Sequence, residues 1–123
     1  MKENVLTDEI GNLQNEICNA SGLTWEELFK NRRSHRPLYS EPRKVHIALL
    51  GLFIGLTWRK SAEVYNLNHA VMKNCLEKVG YHLQTDIEFR EKYENVFRYA
   101  LSKKKELANK LYLKWIKNET IRV

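Results

Sequence analysis

The chain has 123 residues and a formal net charge of +6, with 43% hydrophobic and 29% charged residues, the balance of one globular domain large enough for its own core. Two prolines and five glycines are too few for a turn-rich β architecture and favour an all-α fold, while Cys18 and Cys75 are too few for a disulfide scaffold and read as buried thiols of a reducing compartment. The longest apolar run, Val45 to Leu56, is shorter than the about 20 residues of a membrane span, and no basic-then-apolar leader opens the sequence, so a cytoplasmic location is expected.

Leu6, Ile10, Leu13, Ile17 and Ala20 recur at intervals of four and three, one face of an amphipathic helix that Ser21-Gly22 ends. Thr24 stands three residues before Glu27, a capping-box spacing that starts a short helix through Trp25, Leu28 and Phe29. Asn31 to Ser40 carries Arg32, Arg33, Arg36 and Pro37 without an apolar period and reads as a basic loop. Pro42 suits the first turn of the next helix, Pro42 to Leu56, which is apolar nearly all round and therefore surrounded by other helices. A break at Gly55 to Thr57 leads to a short helix, Trp58 to Tyr65.

Asn66-Leu67-Asn68 reads as a turn, with Asn68 capping a further helix. Met72, Leu76, Val79 and Leu83 give that helix its inner face, which puts His69, Ala70, Lys73 and Asn74 outside. Thr85, with Glu88 three residues on, is expected to cap a last long helix. Its apolar stripe runs through Phe89, Tyr93, Val96, Phe97, Ala100 and Leu101 and thins to Leu107, Leu111 and Trp115. Continuous from Asp86 to Lys117, that helix would be about 48 Å long at 1.5 Å per residue, so its end should protrude, fold back or meet another chain. Residues 1–101 are thus expected to form one bundle of about six helices, and 102–123 a basic helical extension.

No Gly-rich phosphate loop, Cys-x-x-Cys, His-Glu-x-x-His or nucleophile elbow occurs, and the four histidines share no helical face at ligand spacing. His46, inside an apolar helix, reads as a core or boundary residue rather than a metal ligand, and Cys75 as packing. The expectation is a binding protein, not an enzyme, with no cofactor and no metal.

The charge is unevenly spread. Residues 30–60 carry eight bases against Glu41 alone, a net +7, and residues 97–123 carry eight bases against two acids, a net +6. Clustered positive charge of this kind points first to nucleic acid. The short helix, the turn and the following helix have the dimensions of a helix-turn-helix, in which Asn68, His69, Ala70 and Lys73 would meet base edges. The same dimensions fit an ordinary packed αα-hairpin; the arginines beside it favour the first reading, since such an arm can enter a minor groove.

The stretch from about Ile17 to Arg98 resembles domain IV, the C-terminal DNA-binding domain, of the bacterial replication initiator DnaA. The resemblance rests on "ICNASGLTWEELFKNRRS", on "EPRKVHIALLGLFIGLTW" and, most specifically, on "LNHAVMKNCLEKVGYHLQTDIEFREKYENV", which is similar to the family's recognition helix and the helix after it. It implies an all-α, TrpR-like helix-turn-helix bundle that binds double-stranded DNA. His69 falls on the signature histidine, Asn68 on the signature aspartate, Arg33 on the minor-groove arginine with Arg32 beside it, and Arg43 on the arginine of the Pro-Arg pair. Ala70 and Val71 stand where the family has two threonines, which removes base-reading groups while keeping the buried positions apolar.

The expected function is therefore double-stranded DNA binding in a bacterial or phage setting, without the initiator's ATPase module, for which 123 residues leave no room. Arg32, Arg36, Arg43, Lys44 and Lys60 would contact phosphates, Arg33 the minor groove, and Asn68, His69, Ala70 and Lys73 the major groove. The alternative is an interaction module that kept the fold and lost the DNA, pairing with a second copy or an initiator through the stripe Leu107, Leu111 and Trp115. The lysine-rich tail, Lys103 to Lys117 with Tyr112 and Trp115, also fits a membrane-surface helix, but the partner expected is DNA, with no membrane and no small-molecule substrate.

Overall fold

The computed structural model describes residues 2–103, and the side chains among them at all positions except 2–7, 53, 72 and 103. Leu107, Leu111, Tyr112 and Trp115, and all of the expected basic extension past residue 103, lie outside the described residues. Within them the fold is all-α, with seven α-helices, one π-helical turn and no strand. No helix among these residues is long and apolar enough to cross a membrane.

Helix α1, Lys2–Ser21, buries Leu13 and Ile17 completely and half-buries Ile10 and Ala20, the face its spacing requires. It stops at Gly22, whose φ of +74° suits a residue without Cβ and whose N–H donates to the Cys18 carbonyl at 2.9 Å. Helix α2, Trp25–Lys30, opens on the expected capping box: Thr24 Oγ1 accepts from the Glu27 amide at 3.1 Å, and Glu27 Oε1 accepts from the Thr24 amide at 3.2 Å.

Helix α3, Pro37–Leu49, begins five residues before the Pro42 start expected from sequence. Pro37 takes the first position, where a missing N–H costs nothing, and Pro42 lies inside the helix. The basic loop therefore shrinks to Asn31–Arg36. Val45 through Leu50 are all buried, so α3 is the central helix, packed against α1 and α5. From Leu50 to Ile54 the backbone widens into a π-helical turn. It ends at Gly55, φ +87°, where the Gly55 and Leu56 amides both donate to the Leu50 carbonyl. The break expected at Gly55 to Thr57 stands where glycine permits the left-handed conformation.

Helix α4, Trp58–Glu63, is capped by Thr57, whose hydroxyl accepts from the Lys60 amide at 3.2 Å, and it buries Ser61 and Ala62. It leaves through a Schellman arrangement. Leu67 N–H donates to the Ala62 carbonyl at 3.0 Å, Asn66 N–H to the Glu63 carbonyl at 2.9 Å, and Asn66 sits at φ +52°. Helix α5, Val71–Thr85, buries Cys75, Val79 and Leu83. Asn68 does not cap it directly. Its Oδ1 accepts from the Ala70 amide at 2.9 Å and its carbonyl from the Val71 amide at 3.1 Å, so it forms a turn just ahead of the helix.

Among the described residues the expected long last helix is divided in two. Asp86, not Thr85, caps α6, Ile87–Lys92, by accepting from the Phe89 amide at 3.1 Å, while the Thr85 hydroxyl donates back to the Tyr81 carbonyl at 2.8 Å as the last residue of α5. The chain breaks at the buried Tyr93 and resumes as α7, Glu94–Lys103, which packs against α1 and the π turn. Phe89, Tyr93, Val96, Phe97 and Ala100 are buried as one stripe across the break. The apolar period is thus right and the continuity wrong, because periodicity records which side is buried and not the backbone angles of each residue, and Tyr93 leaves the helical region at φ −104°, ψ 12°.

Candidate nucleic-acid interface

The α2–α3 loop and the start of α5 meet. A cleft of about 320 Å³ is lined on one side by Arg32, Arg33 and His35 of the loop with Arg43 and Lys44 of α3. Leu67, Val71 and Asn74, at and just before the start of α5, form the other side. Two sequence segments more than 30 residues apart thereby make one basic surface around the tip of α5.

The five basic groups of this cleft are not equivalent. Arg33 and His35 are exposed and Lys44 half-buried. Arg32 folds back on α2: its Nη1 donates to the Phe29 carbonyl at 3.0 Å and its guanidinium lies 4.5 Å from the Phe29 ring centroid. Arg43 is 8% exposed, and its Nη1 donates to the carbonyls of Asn31 at 3.3 Å and Ser34 at 3.0 Å. Burial holds its pKa below the usual arginine value. Arg43 departs here from the expected direct phosphate contact. Its position beneath the loop commits it to two loop carbonyls, and it sets the path on which Arg32 and Arg33 stand. Arg36 is exposed as the N-cap residue of α3, and Lys60 is exposed on α4; neither lines the cleft.

At the tip of α5, Asn68, His69, Ala70 and Lys73 are all exposed, as the outer-face reading requires. Asn68 Oδ1 is taken by the Ala70 amide, so the side chain offers its NH₂ as a donor. Among the described residues no side chain caps the N-terminus of α5, and no acid lies in its first turn, so the positive end of the helix carries no local countercharge. Cys75 closes the cleft from below; burial pushes its thiol up to about 11, so it is protonated and unreactive at neutral pH.

The site residues that sequence reasoning passed over are His35 and Asn74. His35 stands next to Arg36 in the loop, so its position within a basic run was the available signal. Asn74 was legible as an outward residue, but only the fold brings it against the loop. His46, by contrast, is in the core as its apolar surroundings imply, with Nδ1 2.7 Å from the Tyr65 hydroxyl. Comparisons of the chain with protein-family models, with curated proteins and with solved structures find no match.

Proposed function

We propose that this chain binds double-stranded DNA through the α4–α5 helix-turn-helix, with the arginine loop as a second arm, in the manner that its resemblance to DnaA domain IV implies. The observation that carries the reading is the shared cleft, in which Arg32, Arg33, His35 and Lys44 stand against the start of α5. One duplex can then meet both. The tip of α5 enters the major groove, where the Asn68 NH₂ and Lys73 donate to base acceptors, His69 exchanges a hydrogen bond and the Ala70 methyl meets a thymine methyl. The N–H groups of the first turn of α5 beyond Val71, whose own amide is held by the Asn68 carbonyl, face a phosphate at the groove edge. Arg33, the most exposed arginine of the cleft rim, reaches the neighbouring minor groove, while Arg32, Arg36, Lys44 and Lys60 supply phosphate contacts.

A fluorescence anisotropy titration against a labelled duplex of random sequence tests this. With five to six phosphates neutralised, log affinity should fall against log salt with a slope on the order of −5. Selection from a random duplex library should then return a consensus. Absence of binding at low salt, or tight binding indifferent to salt, overturns the reading.

A further inference from the structure

A second cleft, of about 380 Å³, lies between the first two turns of α3, the second half of α5, and α6. We propose that it is a phosphate site, held by Lys44, Lys78, His35 and His82. Lys44 comes from α3, Lys78 and His82 from α5 one turn apart, and His35 from the basic loop. His82 stacks on Phe89 of α6, with ring centroids 5.1 Å apart and planes 30° apart, which holds the imidazole at the cleft wall. Glu41, the carboxylate on the cleft wall, is paired with Lys92 at 3.3 Å, and among the described residues Lys44 and Lys78 have no ion-pair partner.

The start of α3 adds to this field. The helix has 13 residues, no side-chain cap and no acid in its first turn, and Pro37 and Ser40 of that turn line the cleft. Lysine ammonium groups, imidazole N–H donors and the Ser40 hydroxyl are the donor set that a phosphate oxygen takes, and the α3 dipole adds its field without amide donors at Pro37, Tyr39 or Ser40. His35 and Lys44 also line the first cleft, so the two are contiguous and form one basic track. The phosphate has two possible sources: the backbone of a duplex running along that track, which rests on the DNA reading above, or a free phosphorylated ligand, which does not.

The test uses the full chain with sodium pyrophosphate as the probe, following the imidazole NMR resonances of His35 and His82 at constant pH, beside duplex titrations over a range of salt. Wild type, Lys78→Gln and Lys78→Arg are compared; Lys78 is exposed, so each variant should fold, and circular dichroism checks that it does. A free-ligand site predicts that both resonances move together and saturate. Lys78→Gln then weakens pyrophosphate at least about fivefold, Lys78→Arg restores it, and duplex binding is unchanged. A backbone site predicts that Lys78→Gln reduces the duplex salt slope by about one and weakens all sequences alike. The proposal is overturned when pyrophosphate leaves both resonances still, or moves them equally in Lys78→Gln, and the duplex slope is also unchanged. If wild type binds no duplex, the DNA reading fails and the pyrophosphate arm alone decides the cleft.

Discussion

His46 Nδ1 lies 2.7 Å from the Tyr65 hydroxyl, and both residues are 0% exposed. Trp25 packs against the two rings, with centroids 5.9 Å from His46 and 4.9 Å from Tyr65. One buried contact therefore ties α2, α3 and the turn after α4 together, and it holds the α4–α5 hairpin against the helix that carries Lys44. His46 Nε2 has no hydrogen-bond partner among the described residues, and burial holds the imidazole pKa down at about 3.

That burial makes stability depend on pH with a definite sign. In the unfolded chain the imidazole takes a proton near pH 6.5, whereas the folded state refuses it until about pH 3. Stability from this group is complete above 6.5 and falls through the window from 6.5 to 3, by roughly 1.4 kcal/mol per pH unit once below 6.5. Urea unfolding at pH 7, 5.5 and 4.5 should show a descending midpoint, and His46→Phe should flatten the descent. An unchanged midpoint from pH 7 to 4.5 would show that the imidazole is accessible to protons in the folded state.

Arg43 should behave as a positioning residue and not as a surface cation. Removing its guanidinium leaves the Asn31 and Ser34 carbonyls without that donor, so Arg43→Ala should lose about 1–3 kcal/mol of stability, whereas Arg33→Ala and Arg36→Ala, both exposed, should stay within about 0.5 kcal/mol of wild type. Chemical denaturation of the three variants decides between the roles. Equal stability for all three would return Arg43 to the surface.

Much of the fold is legible in the sequence wherever one local signal settles one local structure. The Thr24–Glu27 box, the stop at Gly22 and the break at Gly55 each depend on a few adjacent residues and stand where those residues put them. The starts of α3 and α5 are displaced for the same reason in reverse. Pro37 and Pro42 both satisfy the rule for a first turn, and Asn68 serves a turn as well as a cap, so tertiary packing chose between equivalent local solutions. The candidate site divides likewise. Outward faces at Asn68, His69, Ala70 and Lys73 follow from the inner period, but the burial of Arg43 and the meeting of His35 with Asn74 require the loop's path in space.

The turn between α4 and α5 offers a backbone test. Asn66, at φ +52°, is the left-handed residue of the Schellman arrangement, a place where asparagine is tolerated and a β-branched residue is not. Asn66→Val should cost about 1–2 kcal/mol, and Asn66→Gly should be neutral or slightly stabilising. Thermal unfolding in the two variants measures the difference. Should valine be tolerated as well as glycine, the turn does not hold the left-handed conformation.

The proposed DNA binding assigns Arg33 and Lys44 different roles. Arg33 is exposed at the cleft rim and Lys44 is half-buried along its wall, so on that proposal the first would reach into a groove while the second would meet backbone oxygens that every sequence presents. Narrow A·T-rich minor grooves concentrate negative potential, so Arg33→Ala should weaken an A-tract duplex by about tenfold and a G·C-rich duplex by only about threefold. Lys44→Ala should weaken both alike and reduce the salt slope by about one. Competition titrations on the two duplexes read both effects. If Arg33→Ala weakens the two equally and lowers the slope as Lys44→Ala does, Arg33 is a phosphate contact, and any sequence preference must come from the tip of α5 alone.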